Sequence, residues 1–282
     1  MPESDNTCMP LLRIVSGDGP LTVVVISGGN AFVSRFDEGR ARRDAGRLRA
    51  LFPPGTRLCV LGYDPEATGP WTVTSIAGEV ARVLEVDFPG AVLAGVSFGG
   101  LVALRLAVER PDLVDRLILI ATAHRVSEDG QRRVRAQIAH LAAGDIDAMV
   151  RPFLSLFRRP WLNLLLGLSF RLRRHAIHAG LNRPAFAMGL LQAALDESGA
   201  LTSRLGEIRA DTLLVAGSRD QFFDVEAMRE MALVMPSARL VLLERETHMV
   251  PLERTRDVAA AVARFLELGE HGNRDCSHQR GE

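Results

Sequence analysis

A serine set among glycines is the segment most suited to chemistry: Gly95-Val96-Ser97-Phe98-Gly99-Gly100. The run Ala91–Val96 before it is apolar, and Leu101–Glu109 after it has helical spacing that ends at Pro111. A G-x-S-x-G turn needs that strand–turn–helix setting to present a reactive hydroxyl. The hydroxyl must stand at the tip of a tight bend, and glycines remove the side chains that would crowd it. The start of the following helix supplies backbone N–H groups and a positive dipole end for an oxyanion. The chemistry in view is attack on a carbonyl. It also needs a base for the hydroxyl proton and an acid to orient that base. The plainer expectation is a strand that merely turns into a helix, with Ser97 as its N-cap. A G-x-G-x-x-G dinucleotide site does not fit, because Ser97 stands where that pattern needs its second glycine.

The elements that must hold this turn are legible as apolar runs. Leu21–Ser27, Arg57–Leu61, Ala91–Val96, Arg116–Ala121, Thr212–Ala216 and Arg239–Leu243 lack polar alternation, as expected of strands covered on both faces. Helical patterns lie between them at Val73–Val86 and Leu101–Glu109, and Thr255–Leu268 closes the series. Strands alternating with helices imply an α/β fold with right-handed crossovers and a mostly parallel sheet. The alternation stops over 125–200, where Leu, Phe and Ala recur with helical spacing and Pro152, Pro160 and Pro184 punctuate the chain. We expect a core of residues 1–124 and 201–268, a helical insertion at 125–200 and a loose tail at 269–282.

Composition narrows the chemistry further. The chain has 282 residues, 47% of them hydrophobic, with 34 basic and 34 acidic side chains. That balance argues against a nucleic-acid binder, and the apolar content is ample for a folded core. All 34 basic residues are arginine. Without lysine there is no Schiff-base nucleophile, pyridoxal-phosphate anchor, Walker A lysine or Ser-x-x-Lys pair. Cys8, Cys59 and Cys276 are too scattered for a zinc site and suit a reducing compartment. The start MPESDNTCMP lacks a secretory pattern, and the apolar stretch Trp161–Phe170 is too short to span a bilayer. The expectation is a cytoplasmic protein without stable membrane insertion.

With these elements in place, the sequence resembles the α/β-hydrolase superfamily, in its serine-nucleophile branch with a helical lid, from about Leu21 to Leu268. The resemblance implies a mostly parallel α/β-hydrolase sheet flanked by helices. It also implies the order serine, acid, histidine, each on a loop after a strand. Thr212–Ala216 leads into Gly217-Ser218-Arg219-Asp220, so the resemblance makes Asp220 the acid, with Asp224 as its rival. Arg239–Leu243 leads into Glu244-Arg245-Glu246-Thr247-His248, which makes His248 the base. Of the seven histidines, only His248 falls just after a sheet strand and before a long helix. A neutral imidazole suits proton removal near neutral pH. By matching position, the backbone N–H groups of Gly29 and Phe98 would form the oxyanion hole, with Asn30 beside them as a substrate contact. Three departures stand out. Ser27 replaces the family's usual loop histidine, Tyr63–Gly69 replaces an Asp-x-Arg-Gly-x-Gly segment, and no glycine precedes the histidine loop.

The insertion falls where this superfamily carries its lid. Phe153, Phe157 and Trp161 are candidates to line an acyl pocket. Its 11 arginines against six acidic residues suit either the solvated side of amphipathic helices or a docking face. The partner at such a face would be an acyl carrier protein or a coenzyme A thioester. The expected activity is hydrolysis of an ester, thioester or lactone through an acyl-enzyme on Ser97, with no cofactor and no metal. A serine rather than an aspartate at the turn argues against haloalkane dehalogenase or epoxide hydrolase chemistry. The alternatives are an acyltransferase, lyase or cyclase using the same three side chains, and a non-catalytic ligand-binding protein on this fold.

Overall fold

The computed structural model describes residues 11–35, 38–66 and 71–277. The N-terminal reading, Cys8, the segment 67–69 and tail residues 278–282 lie outside the described residues. Among the described residues, seven strands form one sheet: β1 (Leu11–Ser16), β2 (Thr22–Ile26), β3 (Arg57–Tyr63), β4 (Val92–Val96), β5 (Arg116–Ile120), β6 (Asp211–Gly217) and β7 (Ala238–Leu243). Their order is β1-β3-β2-β4-β5-β6-β7, parallel throughout except where β1 pairs antiparallel with β3. The six expected strands are present. β1 is the addition, an edge strand whose half-exposed LLRIVS pattern lacks a continuous apolar run.

The missing alternation in the central strands has a direct cause. Val24 and Ile26 of β2 pack into one core, while Val23 and Val25 pack into a second on the opposite face. Each of these four side chains is at most 1% exposed, so both faces of the strand are interior.

In chain order the helices are α1 (Asn30–Val33), α2 (Glu38–Arg49), α3 (Val73–Arg82) and α4 (Phe98–Glu109). The insertion between β5 and β6 holds α5 (Glu128–Ala142), α6 (Ile146–Val150), α7 (Pro160–Ala179) and α8 (Pro184–Glu197). The series ends with α9 (Val225–Val234), α10 (Val250–Glu253) and α11 (Thr255–Ser277). A capping box starts α3: Thr72 accepts from the Ser75 N–H, and Ser75 reciprocates at the Thr72 backbone. Pro160 and Pro184 open α7 and α8, because the first helical turn needs no N–H from them. α8 buries Phe186, Leu190 and Leu191 in the main core, whereas α7 buries none of its residues. The closing helix departs from expectation. It runs to Ser277 rather than giving way to a tail at 269, since no proline interrupts it and intrahelical bonding needs no apolar face.

Among the described residues, no helix is long and apolar enough to cross a membrane. Chain order places β3 and β4 on opposite sides of β2, which opens a crevice beyond the carboxyl ends of the central strands. The loops after β2, β4, β6 and β7 hold the catalytic and oxyanion candidates, and the insertion after β5 holds Phe153, Phe157 and Trp161.

Candidate active site

Ser97 sits between β4 and α4 with φ 53° and ψ −119°, a conformation that costs a non-glycine residue strain energy. Its N–H is held by the Ile120 carbonyl at 2.9 Å, and its own carbonyl accepts from Gly100 N–H at 2.8 Å. Two glycines make the bend possible by close approach. A Cβ on Gly95 would lie 2.5 Å from the Gly99 carbonyl oxygen, and one on Gly99 would lie 2.8 Å from that of Ser27. The side chain makes no capping bond to α4, so the plain N-cap reading does not describe this serine.

The Ser97 hydroxyl instead faces His248, with Oγ 3.0 Å from Nε2. On the other side of the ring, Nδ1 lies 2.8 Å from Asp220 Oδ2. The second carboxylate oxygen, Oδ1, accepts the N–H groups of Phe222 and Phe223 at 2.8 and 3.0 Å. Those bonds fix the carboxylate plane, and the Asp220 side chain has no exposure to solvent. A buried acid held this way orients the imidazole and keeps Nε2 as the acceptor for a serine proton. Asp224, the rival, is spent elsewhere: it caps α9 by accepting the Ala227 N–H at 2.8 Å.

Phe222 packs edge-on to the His248 ring at 4.9 Å between centroids, and Phe223 stacks at 6.0 Å. Together they leave the His248 side chain only 11% exposed, which strengthens the polar contacts beneath them. Sequence reasoning passed over both, although they stand only two and three residues after the acid.

The loop Ser27–Asn30 touches the serine turn. A Cβ on Gly28 would come within 3.0 Å of the Val96 carbonyl oxygen and 3.2 Å of Ser97 Cβ. Gly29 precedes α1, and Phe98 opens α4 directly after the serine. Ser27, the departure from the family pattern, is buried, and its carbonyl accepts the Tyr63 hydroxyl at 2.7 Å. The Tyr63 ring meets that of Phe98 edge-on at 5.7 Å. Burial pushes the Tyr63 phenol well above its ordinary range, so it stays a protonated donor. Tyr63 thus braces both segments that carry Gly29 and Phe98, and it lies in a stretch that sequence reading had noted only as a departure.

The proposed substrate contacts are less closely drawn together. The exposed Asn30 amide donates to Asp44 of α2 at 3.2 Å, and its carbonyl accepts from the Ser34 hydroxyl at 3.4 Å. Phe153 packs partly buried against the main core, and Phe157 is half-buried. Trp161 is 55% exposed at the start of α7. Among the described residues, no group of three or more His, Cys, Asp or Glu side chains is arranged to hold a metal.

Comparison with known proteins agrees with this fold. The sequence profile described as the Alpha/beta hydrolase family matches residues 23–261. The chain is 32% identical over 227 residues to a pimeloyl-[acyl-carrier protein] methyl ester esterase of Chromobacterium violaceum, covering 75% of this chain and 85% of that one. It is 30% identical over 276 residues to the polyketide synthase ThaQ of Burkholderia thailandensis, covering 89% of this chain but 12% of the synthase. The chain spans 65% of the length of a 29% identical protein of Bacillus subtilis. Among solved structures, MGS-M2, an alpha/beta hydrolase enzyme from a Medee basin deep-sea metagenome library, superimposes with a TM-score of 0.74 at 17% identity. That superposition covers 91% of this chain and 94% of the other, a likeness of fold.

Proposed function

The chain belongs to the alpha/beta hydrolase family, and we propose that within it this protein is a serine hydrolase that cleaves a carboxylic ester, thioester or lactone through an acyl-enzyme on Ser97. One observation carries the reading: a serine held at φ 53° points its Oγ to His248 Nε2 at 3.0 Å, while Asp220 holds Nδ1 at 2.8 Å. In the first half-reaction Ser97 Oγ attacks the carbonyl carbon and His248 Nε2 takes the hydroxyl proton. The backbone N–H groups of Gly29 and Phe98 receive the developing oxyanion. Collapse breaks the bond to the leaving group, which receives the proton from His248. Water, activated by the same imidazole, then releases the acid and restores the serine.

The insertion 125–200 serves as a lid in this reading, with Phe153, Phe157 and Trp161 toward the acyl side. Support for an acyl substrate on a carrier comes from two sources. The Chromobacterium relative is named for an acyl-carrier-protein ester, and α7 presents an exposed apolar stripe beside cationic residues. Trp161, Leu164, Leu165, Leu168 and Leu172 recur at helical spacing on α7 with exposures from 53 to 79%. Arg171 and Arg173 flank Leu172 in a helix that contains no acidic residue, and Arg174 beyond them pairs with Asp147 at 3.0 Å. Such a surface suits an anionic carrier that brings an acyl chain with it.

Product analysis tests the reaction type. Purified protein would be supplied with p-nitrophenyl esters of graded length, acyl thioesters and lactones, with and without an alcohol acceptor. Free acid as the main product in both conditions supports hydrolysis. A product that switches to the acceptor's ester would assign the protein to acyl transfer instead.

A further inference from the structure

We propose that Gln221 is a positioning residue for His248, tying the imidazole loop to residues 156–158 of the insertion so that seating of that segment sets the His248–Ser97 contact. The inference rests on the catalytic reading above and adds a residue to it. Gln221 follows the acid, and its side-chain carbonyl accepts the His248 backbone N–H at 3.0 Å. Its amide NH2 donates to the Leu156 carbonyl at 3.2 Å. The amide orientation is fixed by its partners, because one offers only a hydrogen and the other only lone pairs. One side chain therefore bridges the backbone of the base and the backbone of the insertion.

The same segment is fastened on both sides of His248. Arg158 N–H donates to Glu253 Oε2 at 2.7 Å, at the end of α10. The Arg158 guanidinium pairs with Glu246 Oε2 at 3.2 Å, two residues before His248. The Glu246 side chain is 2% exposed and also takes Arg254 at 2.7 Å, so a cation of the insertion compensates a buried charge of the imidazole loop. Between these ties, Phe157 is clamped to Asn163 of α7 by two bonds, its N–H at 3.2 Å and its carbonyl at 2.9 Å. Displacement of α7 is thus passed through 156–158 to the residues that hold His248. Proton transfer from Ser97 depends steeply on the Oγ–Nε2 separation, so a small shift of this loop is felt in turnover.

The test compares wild-type protein with Q221M, R158A and the double variant. Its readouts are the fluorophosphonate labelling rate of Ser97, kcat and KM on a short p-nitrophenyl ester, and the melting temperature. Methionine fills the same volume but neither accepts from His248 nor donates to Leu156. Loss of such a hydrogen bond is worth about 1.4 kcal/mol, or tenfold. Q221M should label about tenfold more slowly and lose kcat by a similar factor, with KM changed less than about twofold. R158A, at an exposed arginine, should slow labelling about threefold. Coupling makes the double variant no slower than about Q221M alone, whereas independent roles would multiply. Labelling of Q221M or R158A at the wild-type rate, or multiplication of the two effects, overturns the proposal. Should Q221M fail to fold, the R158A rate decides alone. Absence of labelling in the wild type is a different failure, and falls on the catalytic reading itself.

Discussion

Asp220 meets His248 through a single carboxylate oxygen. Oδ2 stands 2.8 Å from Nδ1, while Oδ1 is engaged by the Phe222 and Phe223 N–H groups. The acid is therefore oriented by the chain segment that follows it, independently of the imidazole. The neighbouring carboxylate of Asp224 caps the start of α9. The two aspartates, four residues apart, should separate cleanly in function.

Asp220→Asn should lower kcat by about 10⁴-fold, since the amide favours the wrong imidazole tautomer while leaving the fold intact. Asp224→Ala should retain turnover and lose about 1 kcal/mol of stability through the vacated helix cap. Steady-state kinetics and urea unfolding of both variants check this. Equal kinetic losses would contradict the division of roles.

Tyr63→Phe removes only the hydroxyl that holds the Ser27 carbonyl and keeps the ring against Phe98. Loss of a whole oxyanion donor costs about 100- to 1,000-fold, so loosening one should cost about tenfold in kcat with KM nearly constant. A variant with wild-type kcat would show that the loop keeps its shape without this brace.

Arg105 of α4 grips Glu197 at the end of α8 through two bonds of 3.0 and 2.8 Å, joining the nucleophile helix to the insertion. Burial pushes the Glu197 carboxyl above its ordinary 4.5, and Arg105 opposes the shift. A carboxyl raised in the folded state contributes most below its unfolded value, and that contribution is lost as pH rises through the folded one. Arg105→Ala leaves a buried charge uncompensated and should cost about 3 to 5 kcal/mol at pH 7.5. The deficit should shrink as pH is lowered, because the buried carboxyl takes up its proton at a higher pH than an ordinary one. Urea unfolding at several pH values measures it, and a deficit that grows on acidification would contradict the assignment.

Cys59 lies in β3, and burial pushes its thiol up to about 11. The thiolate is the reactive form, so Cys59 should resist iodoacetamide at pH 8 in the folded protein and react once urea unfolds it. Peptide mapping reads this directly, and rapid modification of the native chain would contradict the buried placement.

How much of this was legible follows from what each feature depends on. The serine turn shows in sequence because crowding demands glycine at fixed offsets. The central strands show because both of their faces are buried. The edge strand Leu11–Ser16 escaped notice, since a half-covered antiparallel strand needs no continuous apolar run. Asp220 and Asp224 could not be separated by spacing alone. What distinguishes them is the local chain path that spends one on a helix start. Tyr63 and Gln221 were invisible for a related reason: their polar groups bond backbone atoms of Ser27, Leu156 and His248, which leave no side-chain signature.

The most direct measurement is covalent. Incubation with a fluorophosphonate, followed by tryptic mass mapping, should place a single phosphonyl adduct on the peptide containing Ser97, and Ser97→Ala should carry none. Undiminished adduct in that variant, or an adduct on a different residue of the native protein, would contradict the account.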